Sequence, residues 1–273
     1  MSNQFSPITL GERLTTINIA GFVLTETTHR PNHELPHHNH ELTNIAFVLN
    51  GSFTEILRRR SIECFPQSLL IKPAGEAHAN RYGSRGMRGL LIEIEPRRLE
   101  TLRSWSKSLG QVSHLRGGAS SIAAMRIYRE LRLMDEASPL AIEGLMLEMV
   151  ADLSRRSNLF SERKPPSWLG TVKEILHARF CESLSLAEIA GTVEVHPVHL
   201  ARAFRKFYGC TLGEYLRSLR IEFCCRKLST SDMPLAQIAL EAGFSSQSHF
   251  SRLFKRHVGM TSTEFRSLYR LSR

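Results

Sequence analysis

The chain has 273 residues, a net charge of +10 and a pI near 9.8, which is long enough for two domains with their own cores and basic enough to favour a polyanionic partner. No apolar run approaches the length of a membrane span, and residues 1–10 lack both the basic start and the apolar run of a signal peptide. The five cysteines, Cys64, Cys181, Cys210, Cys224 and Cys225, are odd in number and show no CxxC spacing, so reduced thiols in a soluble, cytoplasmic protein without a membrane partner are expected.

In chain order, residues 8–24 mix short apolar runs with Thr and read as strands. Residues 29–41, HRPNHELPHHNHE, read as an irregular polar loop dense in His. A rhythm of short strands follows: residues 42–49, a turn at Asn50-Gly51, residues 52–57, residues 69–71 before Pro73, and residues 89–94. Asn-Gly between apolar runs signals a hairpin, and short strands at regular spacing indicate a small β-barrel or jelly roll.

Two fragments here resemble the cupin signature. His38, His40, Asn44 and Gly51 follow its first half, and Pro73, Gly75 and His78 in PAGEAH follow its second. On an extended strand residues 38, 40 and 44 share a face, so two imidazoles and an amide could converge with His78 on a divalent metal. Metal-binding cupins usually carry Glu where Asn44 stands, and Glu41 sits at an odd offset that points it away. The departure weighs against a metal; were one held, His38, His40 and His78 would be its ligands. His38, His40, Asn44 and His78 are therefore assigned to a pocket for a small-molecule effector or to hydrogen bonds at the barrel mouth, and His29, His33 and His37 to the loop.

At Pro96 the texture changes. Residues 97–109 and 120–134 are helical in period, with Leu99, Leu102 and Trp105, then Ile122, Met125, Tyr128, Leu131 and Met134, each set on one face. Residues 139–153 carry a wide stripe of Ile142, Leu145, Met146, Met149, Val150 and Leu153, suited either to packing on the barrel or to a homodimer interface. Residues 155–167, RRSNLFSERKPPS, are polar with a Pro pair and read as a linker.

The remainder contains one pattern twice. In residues 234–266, Leu235, Ile238 and Ala239 are spaced for a buried helical face, Gly243 suits a tight turn of positive φ, Ser245 or Ser246 can cap a second helix, and Phe250, Leu253, Phe254 and Val258 renew the apolar spacing. That is a helix-turn-helix pattern. Residues 186–216 repeat it: Ala187, Ile189 and Ala190 match Ala236, Ile238 and Ala239, and after a one-residue slip Leu200, Arg202, Phe204, Gly209, Thr211 and Glu214 match Phe250, Arg252, Phe254, Gly259, Thr261 and Glu264. Residues 212–228 between them read as one amphipathic helix with Tyr215, Leu216, Leu219, Phe223 and Leu228 inward, able to hold two reading heads about 34 Å apart, one turn of DNA. From Trp168 onward fifteen Lys and Arg stand against nine Asp and Glu, so the basic excess lies where this pattern lies.

This tandem unit, with GFSSQSHFSRLFKRHVG and a terminal segment ending in EFR, strongly resembles the AraC/XylS family of bacterial transcription regulators over about the last hundred residues. The family usually has Pro where Ser262 stands. Glu194 occupies the place of Gly243, where a left-handed residue other than Gly costs about 1 kcal/mol, so the first turn is expected to be built differently or held less firmly.

The resemblance implies an α+β chain: a cupin-like effector-sensing barrel (jelly roll) over residues 1–96, a helical region with a dimerisation role over 97–154, a linker over 155–167, and an all-α DNA-binding domain with two helix-turn-helix motifs over 168–273. Helical phase and resemblance together nominate the DNA contacts. In the first unit these are Val198, His199, Ala201, Arg202, Arg205 and Lys206; in the second, Gln247, Ser248, His249, Ser251, Arg252, Lys255 and Arg256. Arg202 and Arg252 suit guanine, Gln247 adenine, Val198 and Ala201 thymine methyls, and the remaining cations phosphates. The implied partners are double-stranded DNA, a small-molecule effector and, for an activator, RNA polymerase. A cupin-type metal-dependent enzyme or sensor fused to a DNA-binding domain is the alternative. The missing Glu at position 44 and the lack of a carboxylate-histidine-nucleophile constellation count against it.

Overall fold

Two long strands organise the first part of the molecule. β4 (Thr43–Leu57, 15 residues) and β7 (His78–Ile94, 17 residues) pair antiparallel along their whole length, and the pairing breaks register between Val48 and Asn50 and between Gly51 and Phe53. The computed structural model describes residues 10–58, 60–159, 165–208 and 210–270, and the chain divides into two units, Met1–Ser154 and Arg155–Arg273.

The Asn50-Gly51 pair is thus no hairpin turn but a bulge inside a single strand. Each half of β4 finds its partner in the longer β7, so no reversal is needed, and Gly51 supplies the positive φ (73°) of the irregularity. It also allows close approach, since a Cβ at Gly51 would lie 2.0 Å from the carbonyl oxygen of Gly86.

Six further strands complete one sheet: β1 (Glu12–Ile19), β2 (Phe22–His29), β3 (Glu34–His38), β5 (Arg60–Cys64), β6 (Ser68–Lys72) and β8 (Ser113–Arg116). Its main order is β1-β2-β7-β4-β6-β8, while β3 pairs with β7 and β5 with β4 beyond the bulge. The bend folds the sheet over in jelly-roll fashion, so that Val48 and Leu70 of one half cluster with Leu35, Phe53, Ile62 and Tyr82 of the other. The stretch read as a polar loop therefore contains a strand. His29 ends β2 and is buried, and residues 34–38 pair with β7.

The helices that follow are α1 (Pro96–Arg103), α2 (Ala119–Leu133) and α3 (Ser138–Leu159), with a 3-10 turn at Lys107–Gly110 after α1. Tyr128 of α2 donates to Glu26 of β2 at 2.9 Å and Ser121 to the Gln67 carbonyl at 2.9 Å, which ties α2 to the sheet. Glu26 is fully buried and also accepts from Arg88 at 2.6 Å. The α3 stripe from Ile142 to Leu153 is buried within the chain itself, as packing requires. Two residues read as inward are not: Trp105 is 63% exposed because α1 ends at Arg103, and Met134 is 44% exposed at a left-handed helix end.

The second unit is all helix: α4 (Ser167–Ala178), α5 (Leu186–Thr192), α6 (Pro197–Tyr208), α7 (Leu212–Thr230), α8 (Leu235–Glu241), α9 (Gln247–Val258) and α10 (Ser262–Arg270). The pairs α5–α6 and α8–α9 are the two helix-turn-helix units. Between them α7 is not amphipathic in its second half. Ile221, Glu222, Cys224, Cys225 and Leu228 are all buried, because α7 packs against α6, α8, α9 and α10 and so has neighbours around most of its girth. Phe223, read as inward, is only half-buried. None of the five cysteines is in a disulfide. No helix among the described residues is long and apolar enough to cross a membrane.

Candidate nucleic-acid interface and interior cavity

α6 buries Leu200, Ala203 and Phe204, and α9 buries Phe250, Leu253, Phe254 and Val258. Burying that stripe leaves the remaining positions outward. Val198, His199, Arg202, Arg205 and Lys206 are exposed on α6, and Gln247, Ser248, His249, Arg252, Lys255 and Arg256 on α9, with Ala201 and Ser251 half-buried. Among the described residues neither Arg202 nor Arg252 is in an ion pair, unlike Arg179, which is held by Glu182 and Glu188. Both guanidinium forks remain available to bases and phosphates. His249 has local work as well: its Nδ1 lies 3.2 Å from Ser245 Oγ and its ring meets Phe244 edge-on. His199 lies against Trp168, with ring centroids 5.6 Å apart.

The two units share the bonds of their turns but not their helix caps. Ser185 caps α5 through the amide of Glu188, while Pro234, its counterpart before α8, makes no side-chain cap, and Ser246 caps α9 through the amide of His249. Val195 N–H donates to the Ala190 carbonyl at 3.0 Å, as Phe244 N–H does to Ala239 at 2.9 Å. Glu194 has φ 53° where Gly243 has φ 77°, so the first turn is not built differently despite its Glu. The repeated Thr and Glu have a physical meaning too: Thr211 with Glu214, and Thr261 with Glu264, form reciprocal capping boxes at the starts of α7 and α10. Hydrogen bonds from the Thr211 amide and hydroxyl hold the Glu214 carboxyl below its usual range. Ser262 is the first residue of α10, a place Pro also suits.

One residue outside the repeat holds the arrangement together. Arg220 of α7 donates to the carbonyls of Phe180, Glu182 and Gly243, each at 2.7 Å, and so ties the α4–α5 turn to the turn of the second helix-turn-helix. The sequence gives no sign of this, because a half-buried Arg on a long helix reads as a solvated charge.

In the first unit a cavity opens between the folded halves of the sheet. Leu35, Phe53, Met87 and Leu91 supply apolar wall, and His29, His38, His40, Glu55, Lys72, Asn80 and Tyr82 supply polar groups. His38, His40 and His78 converge with ring nitrogens within 4.8 Å of one another. They do so across a turn rather than along one strand: His38 ends β3, His40 lies beyond it, and His78 opens β7. Asn44 is fully buried in β4, bonds the Leu42 carbonyl at 3.4 Å, and with His78 lies outside the cavity lining. His29, read as a loop residue, lines the cavity, stacked on Tyr82 at 4.1 Å. His33 lies 6.2 Å from the same ring.

Lys72, Glu55 and Asn80 were not nominated from sequence, yet they are the polar centre. Lys72 Nζ lies 3.0 Å from Glu55 Oε1 and 2.8 Å from His78 Nε2, and Asn80 donates to Glu55 Oε2 at 2.8 Å. Burial pulls the Lys72 ammonium down and pushes the Glu55 carboxyl up, and each partner opposes the other's shift. His78 donates through Nδ1 to the Glu76 carbonyl at 2.8 Å, so its Nε2 is the acceptor of the Lys72 proton. Burial, with the Lys72 charge second, drops His78 to about 3 and keeps it neutral. In metal-binding cupins these positions would hold a metal, but besides the departure at Asn44 the lone pair a metal needs on His78 is already taken. The residues as they stand do not fit one.

The helix-turn-helix domain family matches residues 178–267, which spans both units. The probable transcription factor PqrA of Proteus vulgaris is 42% identical over 85 residues, covering 31% of this chain and 70% of that protein. The bifunctional transcriptional activator/DNA repair enzyme AdaA of Bacillus subtilis is 29% identical over 118 residues, 43% of this chain, and the chain spans 56% of its length. The HTH-type transcriptional activator RhaR of Shigella flexneri is 26% identical over 250 residues, 85% of this chain and 86% of that protein. With its two matched helix-turn-helix units behind a folded antiparallel sheet, the chain belongs to the AraC/XylS family of DNA-binding transcription regulators.

Proposed function

We propose that the chain reads two adjacent DNA half-sites through α6 and α9 and adjusts that reading to a small molecule bound in the sheet cavity. The observation that carries the first part is the equivalence of Arg202 and Arg252. Each is exposed, outside any ion pair among the described residues, and next to the buried pair Ala203-Phe204 or Leu253-Phe254. A bidentate Arg–guanine contact is worth about 1–3 kcal/mol of discrimination. Gln247 and Ser248 add hydrogen-bonding groups that Val198 and Ala201 lack, so the second unit reads base edges more strictly and the first leans on Arg202, methyl contact and phosphates.

The second part rests on the cavity, whose lining combines apolar side chains with polar groups, the character of a small-ligand site. His38 and His40 line it and serve as effector contacts; Asn44 and His78 support it from outside the lining. Effector binding would reach the DNA-reading unit through a coupling of about 1–3 kcal/mol. The reading assigns no catalytic residue, places the protein in the cytoplasm, makes RNA polymerase a partner if the chain activates, and makes the exposed Leu133, Leu140 and Leu147 of α2 and α3 the apolar surface for a homodimer.

The test is selection of bound fragments from random DNA at near-physiological salt by the full chain and by its Arg202→Ala/Arg252→Ala variant. A bipartite motif with half-sites about ten base pairs apart, lost in the variant, is expected. Enrichment indifferent to both arginines would overturn the assignment of the two helices.

A further inference from the structure

We propose that the ammonium of Lys72 occupies the cation position of a latent metal site made by His38, His40, His78 and Glu55, so that the chain is metal-independent and one substitution turns it into a metal-binding protein. This goes beyond the regulatory reading and does not depend on what the cavity binds.

Lys72 Nζ stands against two of the four candidate donors, His78 and Glu55. The histidine nitrogens lie within 4.8 Å of one another, and ligands around a tetrahedral zinc ion stand about 3.3–3.5 Å apart, a contraction within side-chain reach. Glu55 Oε1 lies 3.5 Å from His78 Nε2 and supplies a fourth, anionic donor. Lys72 Nζ sits against both of these atoms, 2.8 Å from the nitrogen and 3.0 Å from the oxygen. A single positive charge there satisfies the buried carboxylate and consumes the imidazole lone pair, the two things a divalent ion would do. The anchoring is in place as well: the Nδ1 atoms of His38 and His78 are held by the carbonyls of Pro36 and Glu76 at 2.9 and 2.8 Å, which leaves Nε2 of each ring as its coordinating atom. Asn80, bonded to the second oxygen of Glu55, fixes the carboxylate in the same way.

The experiment is cobalt titration of the full chain, read by bound metal after gel filtration, visible absorption and melting temperature. Wild type is expected to retain no cobalt. The Lys72→Ala variant is expected to retain one ion per chain, with absorption bands of nitrogen and oxygen coordination and a metal-dependent rise in melting temperature. Adding His78→Ala should abolish both. Because Lys72→Ala leaves Glu55 uncompensated until metal arrives, Lys72→Ala/Glu55→Gln, which is charge-balanced and keeps the three imidazoles, is measured beside it. Wild-type uptake that disappears in His78→Ala would overturn the proposal by showing the centre open to metal. So would folded variants that take up no cobalt, or uptake indifferent to His78.

Discussion

Glu194 and Gly243 stand at the same place in the two helix-turn-helix turns and share a left-handed backbone, φ 53° and 77°. For Glu the conformation costs about 1–2 kcal/mol, of which Gly would return part through its greater freedom when unfolded. Glu194→Gly is therefore expected to stabilise the chain by about 0.5–1 kcal/mol. Gly243→Ala is expected to cost about 2–4 kcal/mol, because its Cβ would lie 2.1 Å from the backbone oxygen of Cys181 as well as being strained. Urea unfolding of the two variants against wild type measures both, and opposite signs are the expected result.

Arg220 supports the same turn. Its three 2.7 Å bonds reach carbonyls from two separate turns, so the residue acts as a staple within the DNA-reading unit. A hydrogen bond from a charged group contributes about 1.5–3 kcal/mol, and the three are not additive. Arg220→Met is expected to lose about 3–5 kcal/mol and Arg220→Lys roughly half of that, since an ammonium cannot span the same fork. Thermal unfolding at matched pH separates the two, and equal losses would mean that the fork alone, and not the charge, matters.

What could be read before the fold was known followed from period and repetition. The cap from Ser245 or Ser246, the buried Phe250 and Phe254 and the tandem units were legible because helical phase and capping chemistry are local. The Asn50-Gly51 error has the opposite origin. A short-range signal for reversal is overruled by β7, which pairs with both halves of β4 and brings Arg88 and Met87 opposite Asn50 and Gly51, and no short window of sequence contains both. Lys72 and Glu55 failed for the same reason: Lys72 ends the short β6 and Glu55 lies in the half of β4 read as a short strand of its own, and only the folded sheet brings them to 3.0 Å. The three histidines were found, but on a wrong argument, since a turn after β3 rather than strand alternation assembles them.

Charge placement on α9 separates reading from holding. Lys255 and Arg256 are exposed in its last turn, past the residues proposed to meet base edges. Lys255→Ala is expected to weaken binding almost equally on specific and unrelated DNA and to lower the slope of log K against log salt by about 1. Arg252→Ala should instead reduce the ratio of specific to nonspecific affinity by about 10-fold or more. Titrations at several salt concentrations on both DNAs check this, and a Lys255 variant that changes sequence preference would reverse the two roles.

His29 gives the folded sheet a measurable sensitivity to acid. Burial, helped by the nearby His33, lowers its pKa from 6.5 to about 4, and its ring is stacked on Tyr82 with Nε2 3.3 Å from the phenol oxygen. A group whose folded pKa is depressed in this way lets the unfolded chain bind the proton first. Its stabilising contribution is therefore complete above about pH 6.5 and is lost as pH falls toward 4. At about 1.36 kcal/mol per pH unit, the loss between pH 6.5 and 5 is about 2 kcal/mol. Glu93 acts in the other direction, since burial raises its pKa to about 7 and the folded chain then holds its proton more tightly between pH 4.5 and 7. The comparison with His29→Gln removes that background, because Glu93 is present in both proteins. The stability difference, wild type minus variant, is expected to be about 2 kcal/mol more favourable to wild type at pH 7 than at pH 5. A difference that does not move with pH would mean that His29 takes up its proton as readily in the folded chain as in the unfolded one.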